Sequence, residues 1–180
     1  MKSFKELLEI QKQLDEAVEK PRDNGFKPKR RTYQKIVKSM IAEIIEFNEE
    51  TRNTHKTWKQ KEFNVIEMVE ESVDILFFYL QLVNFLGKED ERIIEILNMA
   101  WEECWKEVDE YRDTVADIEL ELIKNLSDME WCLALPKCLN IMGLLVNLYV
   151  NNDIFRETVE YTYIEKWNKN MERINKDWSL

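Results

Sequence analysis

Glycine and proline are scarce, with three of each among 180 residues, and this excludes a turn-rich β fold, which needs a breaker at each hairpin. Histidine occurs once, as His55, so neither a Ser-His-Asp triad nor a histidine-based zinc site can be assembled. The three cysteines, Cys104, Cys132 and Cys138, form no CxxC and are odd in number. They read as core thiols in a reducing cytosol, not as a disulfide framework. Basic charge is the minority: 26 Lys and Arg against 36 Asp and Glu leave a net charge of -10. Nucleic acid binding along a basic surface is therefore not expected, and an anionic substrate would need metal ions to offset the field. No apolar h-region of a signal peptide follows Met1, and the most apolar run, Leu133 to Val150, is interrupted by Pro136, Lys137, Asn140 and Asn147. That run reads as a buried helix and not as a membrane span. The expectation is one all-α domain over residues 1–180, soluble and cytoplasmic, with the 89–150 helices as an insert or mobile part of it.

What the sequence does contain is two acid pairs, Glu43-x-x-Glu46 and Glu71-x-x-Asp74, on two successive helical patterns. Carboxylates three residues apart share a helix face, close enough to hold one divalent cation, and antiparallel helices would bring four acids to one point. The second pair is the more telling. Asp74 runs into Ile-Leu-Phe-Phe-Tyr-Leu, apolar all round, so the stripe Glu67, Glu71, Asp74, Phe78, Gln81 carries acids into a buried helix. A carboxylate there must be paired, protonated or bound to metal, and any such metal is hard and oxygen-held. Glu43, Glu46 and Glu50 fall on the flank away from Val37, Ile41, Ile44 and Ile45, where a bland solvated face is the competing reading.

Along the chain, the first helix is predicted over Phe4–Lys20, with Gln11 and Asp15 beside its apolar face. A loop over Pro21–Arg31 contains Asn24-Gly25 and the basic run Lys27, Lys29, Arg30, Arg31. The second helix spans Thr32–Asn53. Next comes a short basic loop, Thr54 to Lys61, whose lysines are well placed to hold phosphates; out of that context it is a polar connection with Trp58 folded onto the core. Asn64-x-x-Glu67 resembles a capping box opening a third helix, and Gly87 ends it. A charged helical stretch from Glu89 to Asn125 breaks near Arg112 to Thr114, with Glu103, Glu107 and Glu110 on a solvated face. Ser127-x-x-Glu130 caps a helix running to Val150, and Asn151 to Asp153 forms a turn. The last helix, Ile154–Trp178, carries an apolar stripe (Ile164, Trp167, Met171, Ile174, Trp178) beside a line of donors (Tyr163, Lys166, Asn170, Arg173, ending at Asp177).

Taken together, the segment from Leu7 to Asp15, the two acid pairs, Lys56-x-Trp58-Lys59 and Tyr163-x-x-Lys166-x-x-x-Asn170-x-x-Arg173 resemble the dimeric all-α dUTPases of the helical NTP pyrophosphatase superfamily, of phage and Gram-positive type. The resemblance implies a homodimer that converts dUTP to dUMP and pyrophosphate. It implies Mg²⁺, with Mn²⁺ as a substitute, held by Glu43, Glu46, Glu71 and Asp74, and a water attacking the α-phosphorus, with Glu46 as its base. Lys56, Lys59, Lys166 and Arg173 would hold the departing phosphates. Gln11 and Asp15 would read the uracil edge, Asn170 would help to fix the nucleotide, and Phe78 or Trp58 would stack on the base. This chain departs from the pattern at Phe77-Phe78, where many relatives have His-Phe, and in its Arg173 to Trp178 ending. The alternatives are a pyrophosphatase of the same superfamily acting on dCTP or a damaged nucleotide, and a catalytically silent helical interaction protein.

Overall fold

Burial on every side makes one helix the centre of the molecule: Val65–Phe85 places twelve of its side chains in the interior, Tyr79, Leu80 and Leu82 among them with no exposed surface. The computed structural model describes residues 2–51, 54–86, 90–105, 115–127, 138, 155–174 and 176. Among these are six helices and no strand: α1 (Phe4–Glu19), α2 (Tyr33–Glu50), α3 (Val65–Phe85), α4 (Glu91–Glu103), α5 (Val115–Ser127) and α6 (Phe155–Arg173). Helix α3 packs against α2, α1 and α6, with α4 laid on α1 and α5 on α2. None of the described helices is long and apolar enough to cross a membrane.

Helices α1, α2 and α3 begin where the local chemistry favours it. Ser3 caps α1 in a complete box with Glu6. Thr32 caps α2, and Asn64 caps α3 by accepting from the Ile66 N–H at 3.0 Å. Glu67 does not complete that last cap, because its carboxylate pairs with Lys61. At the far end of α1, the buried Arg22 guanidinium donates to the carbonyls of Ala17, Val18 and Lys20, which would otherwise be unsatisfied. The turn that returns Arg22 needs glycine: Gly25 has φ of 85° and its N–H meets the Arg22 carbonyl at 2.9 Å.

Several boundaries differ from expectation. Helix α1 stops at Glu19, and α2 stops at Glu50, before the expected Asn53, because Thr51 turns extended and returns both its N–H and hydroxyl to the Asn48 carbonyl. Ile45, assigned to the apolar flank of α2, is 45% exposed; the core stripe is Ile36, Val37, Met40, Ile44 and Phe47. Ser127 belongs to α5, its hydroxyl donating back to the Ile123 carbonyl. On α6 the buried apolar centre is Val159 and Tyr163, joined by Ile174 just past its end, with Ile164, Trp167 and Met171 only partly covered. Tyr163, placed on the polar line by spacing, is fully buried and stacks on Phe77 with centroids 4.5 Å apart. Cys104 and Cys138 are buried and in no disulfide, and burial pushes the Cys104 thiol up to about 12. The expectations for Asn53, Gly87, Glu107, Glu110, Arg112 to Thr114, Cys132, the 128–137 and 139–150 stretches, Asn151 to Asp153, Ile154, Asp177 and Trp178 lie outside the described residues.

Candidate active site

Lys61 marks where α2 and α3 meet: its ammonium bridges Glu50 at the end of α2 and Glu67 at the start of α3. Moving back along α2 as α3 advances, Glu46 and Glu43 come opposite Glu71, so the two helices are antiparallel. Carboxylate oxygens of Glu43, Glu46 and Glu71 all lie within 4.8 Å of one another. The cluster sits at the edge of the core: Glu43 and Glu71 are half-buried, and Glu46 is open to solvent.

Asp74 stands one turn further along α3, outside that triad, and is engaged from α6: the Lys166 ammonium donates to it at 2.5 Å and to the Glu70 carbonyl at 2.7 Å. The structure therefore brings three of the four predicted ligands together and pairs the fourth with a predicted phosphate-binding lysine. No described ion pair neutralises Glu43, Glu46 or Glu71. Burial, then the charges of Asp74, Glu46 and Glu71, pushes Glu43 up to about 7. Burial and the Asp74 charge raise Glu71, and burial raises Asp74 against the opposing effect of Lys166. Three hard oxygen donors, crowded and only partly offset by the nearby Lys166 charge, fit a divalent cation of the Mg²⁺ or Mn²⁺ kind.

That crowding has a consequence in the metal-free protein. Glu43 binds its proton more tightly when folded than when unfolded, where a glutamate titrates at 4.5. Its contribution to stability is complete below 4.5 and is lost as the pH rises through about 7. Between about pH 5 and pH 8 the melting temperature is expected to fall relative to Glu43→Gln, and millimolar Mg²⁺ should reverse the loss. Parallel profiles for the two proteins would show that Glu43 carries no such strain.

The remaining predicted residues form two further groups. On the loop, Lys56 is paired with Glu49, one turn beyond Glu46 on α2, while Lys59 is exposed. Trp58 is 75% exposed, not folded onto the core. Two turns of α3 beyond Asp74, a hydrogen-bonded network surrounds Asp15. Gln11, Gln81 and Asn84 donate to its carboxylate at 2.9, 2.7 and 3.2 Å, and Arg31 donates to the Gln81 carbonyl. Gln11 is 2% exposed, its own carbonyl accepting from the Tyr163 hydroxyl at 2.9 Å. Burial raises Asp15 in spite of these donors. Asp15, Gln81, Asn84 and Arg31 line one side of a cleft of about 1050 Å³ between α1, the 28–31 loop, α3 and α4. Gln81 was visible as the end of the acidic stripe and Arg31 as the end of the basic run; Asn84 carried no local signal, because only the packing of α1 on α3 gives it Asp15. Phe78, half-buried, is one turn from Asp74 and one turn from Gln81, and Asn170 and Arg173 are half-buried on α6.

A comparison with individually curated proteins gave no match. A protein-family model described as dUTPase matches residues 3–178, nearly the whole chain, including all four acids, the basic loop and α6. With an all-helical fold and carboxylates converging from α2 and α3, the chain belongs to the dUTPase family and is a dUTP diphosphatase.

Proposed function

We propose that dUTP is cleaved to dUMP and pyrophosphate at the acid cluster, by attack of water on the α-phosphorus in the presence of a divalent cation. The observation that carries this reading is the convergence of Glu43, Glu46 and Glu71, whose carboxylate oxygens lie within 4.8 Å of one another. Glu43, Glu46 and Glu71 would hold Mg²⁺, or Mn²⁺ in its place, with Asp74 joining once Lys166 turns from it to phosphate. A cation bound there supplies positive charge against the triphosphate oxygens and makes a nearby water more acidic. Glu46, the solvent-facing member, orients that water and accepts its proton. Lys56, Lys59, Lys166 and Arg173 neutralise the β- and γ-phosphates as pyrophosphate departs.

Gln81 lies seven residues, about 10 Å of helix, beyond Asp74, which suits a nucleoside laid along α3 with its phosphates at the acids. In this arrangement Phe78 or the exposed Trp58 stacks on the base, Asn170 fixes the nucleotide, and Gln11, Asp15 and their neighbours Gln81 and Asn84 read the uracil edge. The enzyme works as a cytoplasmic homodimer in this reading, without nucleic acid or membrane partners. The test is to incubate the purified protein with each common dNTP, with and without chelator, and follow pyrophosphate and monophosphate. Selective release of dUMP, lost with chelator and restored by Mg²⁺ or Mn²⁺, is expected. Full turnover in excess chelator would remove the cation from the mechanism, and equal turnover of dCTP would remove the base assignment.

A further inference from the structure

Asn48 lies in the last turn of α2 and is bonded on both sides of its amide. Its carbonyl oxygen accepts from the His55 backbone N–H at 2.8 Å and lies 2.9 Å from His55 Nδ1. A backbone N–H can only donate, so the amide orientation is fixed, and Asn48 Nδ2 faces the other way to donate to Glu119 of α5 at 2.6 Å. Glu119 is 8% exposed, and its second oxygen has no hydrogen-bond partner among the described residues. Burial pushes it up to about 7. An acid kept in such surroundings costs stability, and neither the acid cluster nor the Asp15 network uses it.

His55 opens the segment that carries the loop cations. Its carbonyl accepts from Thr57, and the Lys56 carbonyl accepts from Lys59, so the backbone is wound in two overlapping turns directly after the point held by Asn48. We propose that Asn48 and Glu119 are positioning residues: together they pin the 54–61 loop to α2 and thereby present Lys56 and Lys59 to the triphosphate. The proposal rests on the reading of those lysines as phosphate ligands. Neither Asn48 nor Glu119 touches substrate in this scheme. Glu119 holds the amide, the amide holds His55, and the loop follows.

The experiment compares four proteins by steady-state kinetics with dUTP, alongside thermal melts. Glu119→Leu removes the pin and the buried acid together, so KM is expected to rise about three- to tenfold, with kcat within about twofold and the melting temperature unchanged or higher. Asn48→Asp sets a carboxylate against Glu119 and should raise KM at least as far. The double variant Asn48→Asp with Glu119→Gln exchanges amide and acid, restores one donor between them, and should recover most of the lost affinity. Lys56→Ala with Lys59→Ala reports on the loop reading itself. If the lysine variant raises KM while Glu119→Leu leaves it unchanged, or if the exchange fails to rescue, the pin is overturned and the lysine reading stands. If the lysine variant leaves KM unchanged, the loop reading falls and the pin with it. His55, the sole histidine, supplies an independent signature: the neutral ring should be the Nδ1–H tautomer by ¹⁵N NMR in the parent and shift toward the mixture of a free imidazole in Glu119→Leu. An unchanged tautomer there would also overturn the proposal.

Discussion

Replacing Glu46 by glutamine is expected to lower kcat for dUTP by about 10²- to 10⁴-fold, the range for loss of a positioned general base. The substitution keeps shape and removes charge. Glu46 is the acid of the triad open to solvent, so a water can reach it without rearrangement of the core. Its neighbours remain to hold a cation, and nucleotide binding measured by calorimetry should persist while single-turnover cleavage is lost. In the metal-free protein the same change relieves repulsion on Glu43, for which Glu46 is one of the charges raising its affinity for a proton. The variant should therefore melt no lower than the parent without Mg²⁺, and gain less when Mg²⁺ is added. Parental turnover would exclude Glu46 from the chemistry.

Phe47→Ala is expected to cost about 3–5 kcal/mol, a large part of the roughly 5–15 kcal/mol that holds a domain folded. Phe47 has no exposed surface, follows Glu46 directly and belongs to the stripe by which α2 packs on α3. For a chain of this length each kcal/mol moves the melting temperature by about 2–4 °C, so a fall of roughly 6–20 °C should be seen. Function should suffer beyond the unfolded fraction. The acids of α2 meet Glu71 only while the two helices keep their register, and the affinity for Mg²⁺ at a temperature where the variant is folded should drop as well. Phe47→Leu, which leaves a smaller cavity, should give an intermediate loss of both. Parental Mg²⁺ affinity in a destabilised Phe47→Ala protein would show that the register is held from elsewhere, with Lys61 the first candidate through Glu50 and Glu67.

The helices were legible because apolar periodicity acts within a few residues, and so was the Asn64 cap of α3, whereas Glu67 and Ser127 took other partners. The second acid pair stood out because a carboxylate followed by an all-apolar turn is improbable unless something holds it, while the first pair left a solvated face as the competing reading. Errors arose where a side chain's fate depends on a distant element. Tyr163 shares a spacing with Lys166 and Asn170, yet Phe77 and Gln11 receive it in the core. Trp58 is exposed, on a loop whose His55 and Lys56 bond back to Asn48 and Glu49 of α2. The end of α2 moved by three residues because Thr51 found a better partner in the Asn48 carbonyl than continued helix offered.

By itself the sequence determined that this protein is helical, that two of its helices present acids in pairs, and that a basic loop lies between them, since spacing along one helix decides which side chains share a face. The tertiary structure alone decided that three of the acids meet while Lys166 holds the fourth, that Asp15 gathers Gln81 and Asn84, and that Glu119 reaches Asn48. Each of these pairings joins residues from different helices, and their meeting depends on the rotation and register with which whole helices pack, a quantity distributed over the entire core and written at no single position.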